Sequence, residues 1–159
     1  MERYKVILVD DEEEVIDVME AKIRWNELGF EVVGSATNGV KALELIEKLQ
    51  PDVVLTDIKM PYMDGLTLAE RVRQKYPSMK IVIFSGYDDF EYAKQAIKLN
   101  VTEYILKPVN VEELTAILKK IKANLDQEIE QKRNVNLLRE NYIKSLPILR
   151  EQFLNELVN

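Results

Sequence analysis

Residues 52–65 read DVVLTDIKMPYMDG. Within this stretch, Val53–Thr56 is a short run of apolar and β-branched residues, as is typical of a strand buried in a sheet. Asp57 follows the run directly. An aspartate at the end of a buried strand can be a functional site residue, but it can equally begin a turn ahead of Lys59-Met60-Pro61. The stretch alone leaves both interpretations open.

Similar runs occur on both sides of this stretch. Those that predict strands are Tyr4–Val9, Ile81–Phe84 and Glu103–Leu106, with Glu31–Ala36 as a more alternating candidate. Apolar residues at helical spacing separate them, in groups at Val15, Ile16, Met19 and Ile23; Ala42, Leu43 and Ile46; Leu66, Ala69 and Val72; and Tyr92, Ala93, Ala96 and Ile97. Asn38 and Asp64 stand where the caps of the second and third helices are expected. This alternation predicts a doubly wound α/β fold, with a parallel sheet covered by helices on both faces.

Polar residues follow the other strands as Asp57 follows its own. Asp10 and Asp11 come after the first strand, Ser85 after the fourth and Lys107 after the fifth. Because the carboxyl ends of parallel strands meet at one edge of a sheet, ligands of such folds bind there. Carboxylate oxygens suit Mg²⁺, an aspartate can accept a phosphoryl group, and lysine or a hydroxyl can bind phosphoryl oxygens. The sequence thus predicts one pocket for a divalent cation and a phosphoryl group.

Each of these residues also has a simpler interpretation. Asp11 could form a capping pair with Glu14 at the start of a helix. Lys107 could be an ordinary surface lysine, and Ser85 could be only a loop residue beside Gly86. The functional interpretation is favoured because four separate strand ends would otherwise have to place acids, a hydroxyl and an ammonium group at one edge by chance.

The composition narrows the chemistry further. The chain of 159 residues contains no cysteine and no histidine, which excludes disulfides, thiolate zinc sites and a phosphohistidine carrier. Its net charge of −6 argues against a nucleic-acid surface within these residues. No apolar run approaches the ~20 residues that span a bilayer, and the acidic start does not fit a signal peptide. We therefore expect a cytoplasmic protein without a membrane partner.

Together these features resemble the receiver domains of bacterial response regulators, along residues 3–122. The motifs that carry the resemblance are VDDE at 9–12, the stretch at 52–65, FSGYDD at 84–89 and YILKP at 104–108. The resemblance implies the flavodoxin-like form of the α/β class, a five-stranded parallel sheet in the order 2-1-3-4-5. RWNELGF at 24–30 and LPILREQFL at 146–154 look more like the regulators that carry an AraC-type helix-turn-helix output domain.

The resemblance also implies a role for the carboxylates. Asp57 would accept a phosphoryl group from the phosphohistidine of a sensor histidine kinase, with Mg²⁺ as cofactor. Asp10 and Asp11 would hold the metal directly or through water, and Asp57 and the main-chain carbonyl of Lys59 would be further ligands. Lys59 and Tyr87 occupy positions that, in this family, set how long the acyl phosphate survives.

The remaining motif residues would serve the switch. The resemblance implies that Ser85 hydrogen-bonds a phosphoryl oxygen and that Lys107 pairs with it. Tyr104 would swing inward as the hydroxyl moves toward the phosphate, although packing alone is an alternative role for this ring. The Lys107–Pro108 peptide bond would be cis. Ser85 stands where threonine is commoner in the family and Gly86 where alanine is frequent, so we expect looser switching.

Three other functions compete with this interpretation. A metal-dependent phosphatase with an aspartyl nucleophile needs a second aspartate two residues later, where this chain has Lys59. A flavodoxin-like FMN binder needs a Ser-, Thr- and Gly-rich loop after the first strand, where this chain has DDEEE at 10–14. A pseudo-receiver that acts only as an interaction module remains the alternative. We therefore expect no enzyme activity beyond self-phosphotransfer and autodephosphorylation.

The last part of the chain predicts a helical extension. Apolar residues at 114, 117, 118, 121 and 125 indicate a helix that packs on the domain, whereas Asp126–Asn134 is nearly all polar. Val135, Leu138 and Tyr142 then resume a helical stripe, which favours pairing with a second copy or a lone solvated helix. We expect a receiver domain over 1–124 and a helical linker over 125–159, leading to a DNA-binding output domain outside this chain.

Overall fold

The computed structural model describes residues 3–86, the single positions 94, 96 and 98, and residues 101–144, with side chains up to residue 139. The strands are β1 (Tyr4–Val9), β2 (Phe30–Ala36), β3 (Val53–Asp57), β4 (Lys80–Ser85) and β5 (Glu103–Leu106). The helices are α1 (Glu13–Lys22), α2 (Trp25–Leu28), α3 (Gly39–Leu49), α4 (Gly65–Lys75) and α5 (Val111–Lys144). Apart from Lys94 and Ala96, the helix predicted around Tyr92–Ile97 lies outside the described residues.

The strands form a parallel sheet in the order β2-β1-β3-β4-β5, which confirms the predicted topology. Leu55 in β3 pairs with Leu8 in β1 on one side and with Val82 in β4 on the other. All three are fully buried, because helices cover both faces of a sheet of this kind. This is why the strands appear in the sequence as nearly continuous apolar runs.

Two of the helices begin at the residues that the sequence marked as caps. The side chain of Asn38 accepts a hydrogen bond from the Lys41 amide at 2.9 Å, at the start of α3. Asp64 accepts one from the Thr67 amide at 2.7 Å, at the start of α4. Each bond satisfies an amide that has no partner inside its helix, and this fixes where the helix begins.

The short helix α2 was not predicted. It follows α1 as a single turn, too short to show apolar periodicity. The buried Trp25 indole donates a hydrogen bond to the Met19 carbonyl at 3.2 Å, which ties this turn to α1. Gly29 ends the turn in a left-handed conformation with φ 89°, which glycine adopts without steric cost.

The chain divides into two compact units between Lys122 and Ala123. In the first unit, Leu114, Leu118 and Ile121 are buried, as the apolar spacing of α5 predicted. In the second unit, α5 continues through the polar stretch to Lys144, and its side chains include the exposed apolar residues Ile129, Val135, Leu137 and Leu138. Within the described residues, no helix is both long enough and apolar enough to cross a membrane.

Candidate functional site

The sheet topology brings the predicted polar residues to one edge. Asp57 is the last residue of β3 and Ser85 is the last of β4, while Asp10 and Lys107 each follow a strand. Backbone hydrogen bonds extend the ladder past the strand ends. The Lys107 amide donates to the Ser85 carbonyl at 2.7 Å, and the Asp10 amide donates to a carbonyl of β2 at 3.1 Å. The main chain at this edge is therefore held in place by the sheet.

Three carboxylates converge at this edge. Asp10, Asp11 and Asp57 each place a carboxylate oxygen within 4.8 Å of the others. Asp10 is fully buried and Asp57 is 7% exposed, whereas Asp11 faces solvent. Helix α1 has Glu12 as its N-cap residue and no side-chain cap hydrogen bond, so the alternative of an Asp11 capping pair is wrong.

Lys107 lies between the two buried carboxylates. Its Nζ is 3.0 Å from Asp10 Oδ2 and 3.3 Å from Asp57 Oδ2. The other oxygens of the two carboxylates accept backbone hydrogen bonds at 2.9 Å, Asp10 Oδ1 from Glu12 and Asp57 Oδ1 from Ile58. The lysine therefore partly balances two negative charges that lie inside the protein, in a place where charges cost most.

The pKa values show that this balance is incomplete. Burial, followed by the nearby charge of Asp10, raises the pKa of Asp57 to about 6. Burial likewise raises the pKa of Asp10, against the opposing effects of the Glu12 amide and Lys107. Burial lowers the pKa of Lys107, but its hydrogen bonds and charge attraction to the two aspartates outweigh this and leave it raised. The site thus carries excess negative charge that a cation would neutralise.

Ser85 and Tyr104 lie beside this cluster. Ser85 is 1% exposed, and its hydroxyl is in direct contact with the hydroxyl of the half-buried Tyr104. The Ser85 hydroxyl also approaches the Gly86 carbonyl at 3.3 Å. Tyr104 packs against the core, so its ring is already directed inward. The Lys107–Pro108 peptide bond is cis.

The loop between β3 and α4 carries Lys59 and ends at Gly65. The Gly65 amide donates to the Ile58 carbonyl at 2.7 Å, and a Cβ on this buried glycine would lie 3.0 Å from the carbonyl carbon of Asp57 and closer still to its oxygen. Only a residue without a side chain allows this approach. Gly65 was not among the predicted site residues, although the Asp64-Gly65 pair is a signal for a turn.

A cavity of about 510 Å³ adjoins Lys107. Its lining consists of Glu12, Glu14, Val15, Val18, Met19, Lys107, Pro108 and Val109. Five of these eight residues are apolar, and one of them, Val18, is 49% exposed. A largely apolar surface therefore lies directly beside the charged cluster.

The chemistry of the donors fits a hard divalent cation. Mg²⁺ prefers oxygen ligands and usually takes one or two carboxylates while it keeps several waters. Asp10 and Asp57 are buried and preorganised, and the exposed Asp11 can contribute directly or through water. The chain has no cysteine thiolate and no histidine imidazole to offer a metal. The residues present thus suit magnesium better than zinc or copper.

Comparison with known proteins agrees with this geometry. Residues 6–119 match the family described as the response regulator receiver domain. The "uncharacterized transcriptional regulatory protein YesN" of Bacillus subtilis is 40% identical over 157 residues, which is 98% of this chain and 42% of that protein. The transcriptional regulatory protein HptR of Staphylococcus aureus is 35% identical over 133 residues, 83% of this chain and 52% of that protein. The chain thus spans about half or less of the length of these two relatives.

Solved structures give the same answer for the fold. The receiver domain of AraT, a response regulator from Geobacillus stearothermophilus, has a TM-score of 0.75 at 42% identity, with 79% of this chain and 97% of that chain covered. An AraC two-component transcriptional regulator from Clostridium phytofermentans has a TM-score of 0.72 at 35% identity, with coverage of 78% and 96%. Both matches confirm the predicted resemblance to response regulators, and the second agrees with the predicted likeness to AraC-type regulators. The chain belongs to the response regulator receiver family.

Proposed function

We propose that this chain accepts a phosphoryl group on Asp57 from the phosphohistidine of a sensor histidine kinase, in a reaction that requires Mg²⁺. The observation that carries the proposal is the surroundings of the buried Asp57 carboxylate. A carboxylate oxygen of Asp10 lies within 4.8 Å of one of its oxygens, and Lys107 Nζ lies 3.3 Å from Asp57 Oδ2. A turn residue would need none of these neighbours. Asp10, Asp11, Asp57 and the main-chain carbonyl of Lys59 would hold the metal.

The transfer is a displacement at phosphorus. A carboxylate oxygen of Asp57 forms a bond to phosphorus as the bond between phosphorus and the histidine nitrogen of the donor breaks. A pKa of about 6 leaves this carboxylate largely ionised at neutral pH, as a nucleophile must be. The bound metal supplies compensation for negative charge on the phosphoryl oxygens. Lys107 can add to this compensation, because it already lies beside the acceptor oxygen.

Ser85 and Tyr104 fit the role of a switch. In this proposal the Ser85 hydroxyl donates a hydrogen bond to an oxygen of the phosphoryl group on Asp57, and Tyr104 follows it. The support is their direct contact, because a change in the position of one hydroxyl must alter the partner of the other. The change would pass from the site to β5 and to the surface around Tyr104.

The cavity beside Lys107 supports the proposal that the phosphodonor is a protein. A kinase must bring its phosphohistidine to Asp57, and it needs a surface on which to rest while it does so. The apolar lining formed by Val15, Val18 and Pro108 offers such a surface beside Lys107, which is itself 3.3 Å from Asp57. A cytoplasmic location, expected from the sequence, belongs to this proposal.

We further propose that phosphorylation controls transcription through a DNA-binding output domain. The named relatives support this, because they are transcriptional regulatory proteins of which this chain spans only a part. The net charge of −6 supports this division of roles, because it argues against a nucleic-acid surface within these residues.

Self-association through α5 is a second part of the proposal. Ile129, Val135 and Leu138 are 53%, 54% and 70% exposed, and a second copy of the helix would cover them. Light scattering should report a larger mass with the phosphate mimic beryllofluoride and Mg²⁺ than without them. An equal, monomeric mass in both conditions would contradict the homodimer. The stripe at Tyr142 lies outside the described side chains.

The phosphoacceptor is tested with acetyl phosphate and intact-mass analysis. Wild-type protein should gain one phosphoryl group in the presence of Mg²⁺ and none when EDTA is added. Asp57→Asn should gain none, whereas the matched control Asp17→Asn, at an exposed position on α1, should behave as wild type. A wild type that stays unmodified with both acetyl phosphate and a phosphorylated kinase would favour the pseudo-receiver alternative.

A further inference from the structure

The loop that carries Lys59 is held at two places. At its end, the close approach of Gly65 to the Asp57 carbonyl fixes the loop to β3. In its middle, the half-buried Met63 lies against Gly39, the first residue of α3. The second contact joins this loop to the start of a helix that follows a different strand, so it is not explained by local turn geometry.

The contact at Gly39 is made by the backbone of the loop as well as by a side chain. A Cβ on Gly39 would lie 2.7 Å from Met63 Cβ and 2.9 Å from Met63 Cγ, and still closer to the Met63 carbonyl oxygen. Real Cβ atoms essentially never approach a heavy atom to less than 3.0 Å. Any side chain at position 39 would therefore push residue 63 and its loop by several tenths of an ångström.

The displacement would fall on the loop rather than on α3. Asn38 caps the first turn of α3 through the Lys41 amide, and the helix is anchored by Ala42 and Ile46, which are fully buried. Close-packed interiors transmit strain to whichever neighbour is less constrained. The loop around Met63 is that neighbour, because Pro61 and Tyr62 beside it are exposed.

We infer that Gly39 is a positioning residue for the metal site, acting through Met63 on the loop that presents the Lys59 carbonyl. The inference rests on the proposed function in one respect, namely that this carbonyl is a metal ligand. Mg²⁺ requires near-octahedral oxygen ligands at about 2.0–2.1 Å, so a carbonyl displaced by several tenths of an ångström is a poor ligand. Groups behind a ligand typically change metal affinity by about 10–100-fold.

The test compares Mg²⁺ affinity with fold stability in Gly39→Ala. Isothermal titration calorimetry should give an affinity about 10-fold weaker than wild type. The control Gly34→Ala should stay within about twofold, because a Cβ there would meet Leu49 at an ordinary 3.5 Å. A second control, Ile46→Val, loosens the core under α3 and should lower the urea midpoint without changing the affinity.

The outcomes separate the inference from the proposed function. A folded Gly39→Ala protein that binds Mg²⁺ as tightly as wild type overturns the inference and leaves the metal site intact. Wild-type protein that binds no Mg²⁺ overturns the metal site and the inference together. If Gly39→Ala does not fold, Met63→Ala takes its place, because it removes the side chain that rests on Gly39. A few-fold weaker affinity then supports the inference, and an unchanged affinity contradicts it.

Discussion

Replacement of Asp57 by asparagine should stabilise the metal-free protein at neutral pH. The carboxylate is 7% exposed and shares its surroundings with the charge of Asp10. Lys107 lies 3.3 Å away but is also engaged by Asp10 at 3.0 Å. An asparagine keeps the shape and can still accept the hydrogen bond from the Ile58 amide, but it carries no charge. The variant therefore removes a charge that the fold holds at a cost.

The size of the effect follows from the pKa of Asp57. This pKa is about 6 in the folded protein against 3.8 in the unfolded chain. A carboxyl whose folded pKa is raised adds stability that is fully present below the unfolded pKa and is lost as pH rises through the folded pKa. At about 1.36 kcal/mol for each unit of pKa, the difference between a pKa of about 6 and one of 3.8 corresponds to about 3 kcal/mol. The free energy of unfolding of Asp57→Asn should therefore exceed that of wild type by about 2–3 kcal/mol above pH 7. Near pH 4 the two values should be about equal.

Urea unfolding in EDTA measures this difference. The only tryptophan of the chain, Trp25, is buried and provides the fluorescence signal. Unfolding curves collected between about pH 4 and pH 8 should show the two proteins diverging as pH rises, with equal slopes against urea. Asp17→Asn serves as the control, because this exposed aspartate should change stability by less than about 0.5 kcal/mol.

Two results would refute the reasoning. Asp57→Asn could be less stable than wild type at neutral pH, which would mean that the carboxylate is favourably placed without metal. Alternatively, its advantage could be independent of pH, in which case ionisation of Asp57 would not be the cause. Saturating Mg²⁺ should also reduce the stability advantage of Asp57→Asn over wild type. A Mg²⁺ concentration about 100-fold above the dissociation constant adds about 2.7 kcal/mol to the stability of a protein that binds the ion.

Three further substitutions test the surroundings of Asp57. Lys107→Met should destabilise the metal-free protein by about 2–3 kcal/mol at neutral pH, since it leaves two buried carboxylates without their cation; an unchanged urea midpoint would contradict this. Gly65→Ala should cost about 1–3 kcal/mol in urea unfolding through its clash with the Asp57 carbonyl, and unaltered stability would show that the loop can relax freely. Tyr104→Phe should cost about 1 kcal/mol in the same assay through the lost contact with Ser85, yet still accept a phosphoryl group from acetyl phosphate; failure to be phosphorylated would give the hydroxyl a role in transfer.

Much of the fold was predictable because its signals are local or periodic. β1 has the bounds that its apolar run indicated, and Asn38 and Asp64 cap the helices that they were expected to begin. The composition of the site was predictable as well, because in a parallel sheet the residues at the carboxyl ends of β1, β3, β4 and β5 lie at the same edge. These features depend only on residue order and spacing.

The details that escaped prediction depend on three-dimensional contacts. Helix α2 is one turn long and is tied to α1 through the Trp25 indole, which leaves no periodic trace in the sequence. Lys107 was expected to pair with a phosphoryl oxygen, but its distances to Asp10 and Asp57 in the metal-free site could not be derived from strand ends. The packing of Gly39 on Met63 joins residues far apart in the chain, so no spacing rule could indicate it.

The most direct test of the central claim is to locate the phosphoryl group after transfer from a phosphorylated sensor kinase. The protein is incubated with the kinase and Mg²⁺, the acyl phosphate is trapped by reduction, and the chain is mapped by peptide mass spectrometry. The account predicts that the label lies on Asp57, depends on Mg²⁺ and is absent from Asp57→Asn. A label that persists in Asp57→Asn, or that maps to another residue of the wild type, would contradict it.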